Sequence, residues 1–500
     1  MPEPEGFDVV VVGGGAAGCV VAARLAESSS RSVLLLEAGP DLRADLPDEV
    51  RDGWHMTRAF DWGYASEPKE FGDVQKLRRV KLLGGTSSIV RFALRGSPSD
   101  YREWEVLGNA GWGFEEVLPY LRRLEADLEF GDQPWHGAIG PIPVTRYPDL
   151  ERTDVHLAAL EALDAVGFSA VEDHNRPGAV GVGPMPMSTR DGLRGTTASA
   201  YLPHGRTPAN LTIRPDSQVA EVIFEGRRAA GVRLLDRVTI PAGCVVLSAG
   251  TYGSPPILMR SGIGPAEHLQ SVGVTVRVDL PGVGANLVDH PSVEIDCDYR
   301  GSVRTAPLLH SVATFHSSTA PTDGPPDLML WISEPASNSD GPPIFEIDPV
   351  LLKPRSRGRV ALRSADPADP PRIELPMPDP FDVERLAEAY QRGWEVATRP
   401  EVRAFCAAPS TPDPHGDDLS GWVRRSVYSI PHVVGTCAMG PLPADGAVVD
   451  VAGQVHGTER LFVVDASIMP TVPSGFTYIP TIMIADRLSE EIAALMGGGS

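Results

Sequence analysis

Gly13, Gly15 and Gly18, spaced Gly-x-Gly-x-x-Gly, and the carboxylate of Glu37 about twenty residues later are residue types that together can hold a dinucleotide. Gly13 permits a tight turn, Gly15 removes the side chain that would keep a pyrophosphate off the backbone, and Gly18 lets a helix lie close to a strand. The N–H groups where that helix begins then face the phosphates. A carboxylate at the Glu37 position accepts hydrogen bonds from both ribose hydroxyls and repels a 2′-phosphate. Histidine is the other suggestive type, because imidazole titrates near neutrality and can take up a proton without a metal. Taken alone, His432 between Pro431 and Val433 reads as a core histidine. His310 and His316 are an even number of residues apart, so in one strand they would share a face and line a pocket. Cys19, Cys244, Cys297, Cys406 and Cys437 show no CxxC spacing, so neither a disulfide framework nor a metal site is expected.

The elements around these residues have the periodicities they need. Residues 8–12 form a β-branched run suited to a buried parallel strand, residues 16–28 have helical spacing, and residues 32–37 return as a second buried strand ending in Glu37. No second Gly-x-Gly-x-x-Gly follows a strand, so one nucleotide site is expected, for a flavin or for NAD. Residues 76–88 are a basic loop entering a second glycine pair, Gly84-Gly85, whose backbone can lie against a cofactor. An amphipathic helix is predicted over residues 113–128, and a β-meander from Val219 leads to a further buried strand ending near Gly250. Residues 291–425 read as mainly β, with strands near 312–316, 328–332 and 360–363. Residues 460–467 form a strand closing on Asp465 and Ala466, followed by a helix opening at Pro480. The expected architecture is α/β. Residues 1–140, 186–290 and 430–496 build a discontinuous Rossmann-like domain, 141–185 and 291–429 an inserted α+β substrate domain, and 497–500 a flexible tail.

Composition narrows the classes. The 500 residues, 42% hydrophobic and 22% charged, are enough for more than one core. A formal net charge of -22 would repel nucleic acid and anionic membranes, so neither is an expected partner. No stretch is long enough for a membrane span, and the first residues lack a basic signal-peptide region. With the unpaired cysteines, this points to the cytoplasm.

Four blocks of sequence, covering nearly the whole chain, resemble the glucose-methanol-choline (GMC) oxidoreductases. They are the N-terminal fingerprint with Glu37-Ala38-Gly39-Pro40, the loop Arg79 to Ser88, the run Gly250 to Gly264 with Gly282 to His290, and a C-terminal set containing His432 to Gly440, Val463 to Ser467 and Pro480-Thr481. The resemblance implies a glucose oxidase-type fold, FAD, and oxidation of an alcohol by hydride transfer to the flavin. It makes His432 the base. It also implies that Gly13, Gly15, Gly18, Glu37, Ala38, Gly84, Gly85, Ser87, Val90, Val219, Asp465, Ala466, Pro480 and Thr481 contact the cofactor. His290 is expected to be structural.

Two departures from the family pattern bear on chemistry. The family's Asn or His partner of the catalytic histidine is replaced within Ser474-Gly475-Phe476-Thr477-Tyr478-Ile479-Pro480. Counting from Pro480 puts Tyr478 at the partner position, whereas a different loop length would choose Phe476; both are expected to shape the substrate pocket. Ser88-Ile89-Val90-Arg91 replaces the common Ala-Ile-Asn-Gly, and the loop lacks the His that anchors flavin covalently in some members, so noncovalent FAD is expected. These changes favour an apolar small-molecule substrate, with oxygen, a quinone or a redox carrier as electron acceptor. The alternatives are non-oxidase chemistry of the lyase or photodecarboxylase kind, or a mycofactocin-associated dehydrogenase.

Overall fold

The computed structural model describes residues 6–28, 30–54, 57–68, 74–148, 150–303, 310–337, 341–416 and 418–497. Uninterrupted Val and Leu runs make Val9–Val12 and Val33–Leu36 fully buried strands that pair in parallel, Val10 beside Leu34. They lie inside a five-stranded sheet ordered Leu211–Arg214, Val33–Leu36, Val9–Val12, Val245–Leu247, Leu461–Val463. Helix Ala16–Glu27 crosses between the first two strands, and the C-terminal helix Tyr478–Gly497 packs against it. A Cβ at Gly18 would lie 1.8 Å from the Gly13 carbonyl oxygen, so only glycine allows this approach of helix to strand.

A second, antiparallel sheet runs Tyr428–Val434, Val288–Ser292, Ile344–Leu351, Leu328–Ser333, His310–Phe315, Gly181–Pro184, with Ile295–Asp298 also paired to Ile344–Leu351. One face is covered by helix Pro380–Thr398, which buries Leu386 and Tyr390 in a core with Ile295, Leu330 and Ile347. The other face carries Val312, Met329, Trp331 and Val350, packed with Phe92 and Phe476. Residues 291–425 are therefore less purely β than their sequence suggests. Asp379 caps the long helix by accepting from the Asp382 N–H, with Pro380 at its first position.

Three boundaries differ from expectation. The helix predicted over 113–128 spans Phe114–Leu124, because Glu125–Asp127 leaves it as a strand pairing with Ile142–Val144. The terminal helix opens at Tyr478, two residues before Pro480. Gly497 is its last residue rather than part of a tail, and 498–500 lie outside the described residues. Among the described residues no helix is long and apolar enough to cross a membrane.

Candidate active site

The glycine turn opens at the carboxyl end of Val9–Val12, where Gly13 has φ +95. A Cβ at Gly15 would meet nothing within 4 Å, so this backbone stands bare at the cavity. The second glycine pair lies directly against the first: Gly84 N–H donates to the Gly14 carbonyl at 2.7 Å, and a Cβ at Gly85 would be 2.7 Å from Gly15 Cα. Ser87 fixes that loop, its hydroxyl donating to the Gly84 carbonyl at 2.6 Å. Glu37 is 5% exposed and accepts from the Gly14 and Gly39 N–H groups, both at 2.8 Å. Burial pushes its carboxyl up to about 7, against those hydrogen bonds and Lys81. Asp465 accepts from Gly250 N–H, Ser254 hydroxyl and Ser467 N–H, holding two loops together at the C-terminal edge of the parallel sheet.

One cavity joins these parts. Gly13, Gly15, Glu37, Ala38, Gly85, Ser87, Val90, Val219, Asp465, Ala466 and Thr481 line it together with His432, Phe476 and Tyr478. Gly18, Gly84 and Pro480 do not line it: the first two hold the glycine turns together, and Pro480 is buried in the terminal helix. Bare backbone at Gly15, a buried carboxylate and a histidine around one cavity suit a dinucleotide ending in a redox-active ring. Trp62, Tyr64, Arg79, Thr251 and Tyr252 also line it. No phosphate-binding pattern in the sequence marks these five.

His432 lies on strand Tyr428–Val434, whose partner Val288–Ser292 brings Asp289 and His290 beside it. Asp289 accepts from the backbone N–H groups of His432 at 2.9 Å and His290 at 2.8 Å, and from the Ser429 hydroxyl. Arg79 donates to the Pro431 carbonyl at 3.0 Å. The Nδ1 atoms of His432 and His290 are 3.1 Å apart, and His290 Nε2 is 3.2 Å from the Pro473 carbonyl oxygen. Desolvation, reinforced by His290 and Arg79, holds the His432 imidazolium well below the usual histidine range; burial takes His290 down to about 4.

Phe476, not Tyr478, meets His432, with ring centroids 4.3 Å apart and an interplanar angle of 32°. Tyr478 starts the terminal helix, and its hydroxyl donates to the Gly195 carbonyl at 2.8 Å, away from the imidazole. His310 and His316 do not share a strand face at the cavity, and neither lines it. Strand His310–Phe315 ends before His316, whose Nε2 lies 3.2 Å from the Gly324 carbonyl oxygen. His310 is buried behind Phe92, bonded to Trp331 and Arg91. Elsewhere, Glu125, Asp127 and His136 bring three potential metal-ligand atoms together. Arg95 pairs with Glu125 and Arg146 with Asp127 and Asp173, so these groups form a buried ion-pair network.

Comparison with known proteins agrees with this geometry. The GMC oxidoreductase models match residues 7–292 and 354–485. The 5-(hydroxymethyl)furfural oxidase of Methylovorus sp. (strain MP688) is 34% identical, covering 97% of this chain and 98% of its own. An oxygen-dependent choline dehydrogenase of Photobacterium profundum is 31% identical over 97% of this chain and 93% of its own. The crystal structure of pyridoxine 4-oxidase from Mesorbium loti superposes with a TM-score of 0.88 at 29% identity, covering 97% of this chain and 99% of that one. These relatives share the α/β architecture, with its Rossmann-type FAD-binding domain, across essentially the full chain. The chain belongs to the GMC oxidoreductase family, whose members are FAD-dependent enzymes.

Proposed function

We propose that this enzyme oxidises the CH–OH group of an apolar or aromatic alcohol to a carbonyl, with His432 as the base and FAD held noncovalently. The observation that carries the reading is the hydrogen-bond chain behind the imidazole. A carbonyl only accepts, so His290 Nε2, facing the Pro473 oxygen, bears a hydrogen. Neutral His290 then offers a lone pair at Nδ1, and His432 must donate its own Nδ1–H to it. That leaves the lone pair of His432 on Nε2. Desolvation, His290 and Arg79 all disfavour the imidazolium, so His432 rests in the neutral form that can act as a base. FAD, when bound, supplies the two-electron acceptor for the hydride leaving the alcohol carbon. Asp289 fixes the backbone on both sides of the histidine pair, and Phe476 keeps water from one face of the imidazole.

Phe476, which lines the cavity, belongs to one apolar cluster with Phe92, Trp331, Met329 and Val312, which supports an apolar substrate body. The names of two relatives, a 5-(hydroxymethyl)furfural oxidase and an oxygen-dependent dehydrogenase, support oxygen as acceptor, and that of a quinone-linked glucose dehydrogenase supports a quinone. The loop from Gly84 to Arg91 carries no histidine, in keeping with noncovalent FAD.

Anaerobic titration of the yellow holoenzyme with primary, secondary and aromatic alcohols tests the reading. Bleaching of the oxidised flavin band by aromatic alcohols is expected, and His432→Ala should slow it by roughly 10²- to 10⁴-fold with FAD still bound. Dark inertness toward the whole panel, with the flavin still reducible by dithionite, would overturn it in favour of lyase or photochemical activity. Stoichiometric oxygen uptake during turnover separates an oxidase from a dehydrogenase using another carrier.

A further inference from the structure

Arg91 is buried at 6% exposure beside the cavity-lining Val90; among the described residues no carboxylate is within ion-pair distance of it, Asp52 acts on it only from farther off, and the Arg194 cation disfavours its charge. Guanidinium stays charged in proteins, so a buried one without a counter-ion is costly unless its hydrogens find acceptors. Its Nη1 donates to the Trp54 carbonyl, its Nη2 lies 3.0 Å from His310 Nε2, and its Nε has no acceptor. The other ring nitrogen of His310, Nδ1, receives the Trp331 indole N–H at 2.7 Å, with Ser333 Oγ at 3.2 Å.

This corner holds more donors than acceptors. Indole and guanidinium only donate, and a neutral imidazole has one lone-pair nitrogen. If Nδ1 accepts from Trp331, then His310 Nε2 bears a hydrogen and faces an Arg91 N–H; if Nε2 accepts from Arg91, the Trp331 N–H faces another hydrogen. Protonating His310 removes the remaining acceptor, and burial next to Arg91 opposes it. With Arg91 Nε, at least two hydrogens of this corner therefore lack an acceptor.

The corner is also joined to the reactive histidine by aromatic contacts. Phe92 and Trp331 each pack on Phe476, with centroids 5.6 and 5.5 Å away, and Phe476 packs on His432. Trp331 keeps part of its surface accessible. On the reading that His432 deprotonates an alcohol, we infer that Arg91 and Trp331, positioned by His310 behind them, form an anion subsite, and that the preferred substrate is an aromatic or furan-type alcohol carrying a carboxylate at the end remote from its CH–OH group. The carboxylate supplies four lone-pair sites to the unmatched hydrogens and a counter-charge to Arg91.

The test compares 4-(hydroxymethyl)benzoate with 4-(hydroxymethyl)benzamide, which differ in charge and hardly in shape, in anaerobic flavin reduction by the holoenzyme. The carboxylate is expected to show an apparent Kd at least tenfold lower, as for a charge-assisted hydrogen bond in a desolvated site. Arg91→Gln should bring the ratio of the two Kd values close to one, and Trp331→Phe should lower it severalfold. A wild-type ratio near one, or a ratio unchanged in Arg91→Gln, overturns the inference. So does an Arg91→Gln variant whose only change is the flavin reduction potential, because the charge would then act on the cofactor. If neither alcohol reduces the flavin, the oxidation reading fails, yet the subsite is still tested by perturbation of the flavin band with benzoate and benzamide. Benzoate binding at least tenfold tighter than benzamide supports the subsite, and equal binding overturns it. Displacement of benzoate by millimolar phosphate would reveal a general anion hole and overturn the carboxylate assignment.

Discussion

At the scale of single residues, Glu37 gives a pH-dependent prediction. Burial raises its carboxyl from about 4.5 to about 7, whereas ribose hydroxyls need the ionised form as acceptor. FAD binding should therefore release a proton, and the Kd of the apoprotein for FAD should rise by up to about tenfold per unit as pH falls below 7. Glu37→Gln should bind more weakly with a flat profile, as measured by FAD titration between pH 6 and 8. The sign reverses for the apoprotein's own stability: the contribution of a carboxyl raised in the folded state is present below about pH 4.5 and is lost as pH rises through 7. Glu37 and His432 were legible in the sequence because each belongs to a motif of fixed spacing. The meeting of Arg91, His310 and Trp331 was not, since sheet register brings His310 and Trp331 onto neighbouring strands and Arg91 reaches them from a loop 219 positions earlier in the chain than His310. Counting back from Pro480 misassigned Tyr478 for a local reason: the helix takes it in as its first residue and turns its hydroxyl to Gly195, leaving Phe476 in the preceding turn against the imidazole.

At the scale of elements, three helices meet at one buried carboxylate. Asp486, on the terminal helix, is fully buried and accepts from Arg24 Nε of Ala16–Glu27 and from Arg123 Nε of Phe114–Leu124, both at 2.7 Å. Removing it leaves two guanidinium groups short of their shared acceptor at a helix junction. Asp486→Ala should lower unfolding free energy by on the order of 3 kcal/mol. Glu490→Ala breaks the neighbouring pair with Arg123 and a hydrogen bond from the Tyr120 hydroxyl, both in exposed surroundings, and should cost about 1 kcal/mol or less. Urea denaturation of the two variants separates these effects. The βαβ unit was readable from sequence because a continuous apolar run and a glycine turn specify it locally. The exit of the chain from helix to strand at Glu125 was not, because it depends on Arg95 and His136 reaching that carboxylate from elsewhere. Helix Pro380–Thr398 carries a conventional cap and first-position proline, signals the sequence offered but which its Pro-rich surroundings obscured.

For the whole molecule, the cysteine pattern becomes a measurable statement. All five thiols are free and buried, and burial raises Cys19, Cys244 and Cys297 to about 12. An aromatic disulfide reagent should therefore titrate almost no thiol in the native protein and all five after guanidinium denaturation, and reductant should not shift the melting temperature. Rapid native reaction of even one thiol would contradict this packing. The discontinuous α/β plan was legible because both ends of the chain have the buried-strand character that the middle lacks. The boundaries near 290 and 430 were less so: Val288–Ser292 and Tyr428–Val434 straddle them as paired strands of the antiparallel sheet. That arrangement also constrains biosynthesis. The sheet that starts with Val9–Val12 is closed by Leu461–Val463, and helix Ala16–Glu27 receives its covering helix only from residues 478–497. During translation the apolar surface of the first forty residues must wait for nearly the whole chain to leave the ribosome, so the nascent N-terminal segment is a natural client for chaperones until synthesis ends.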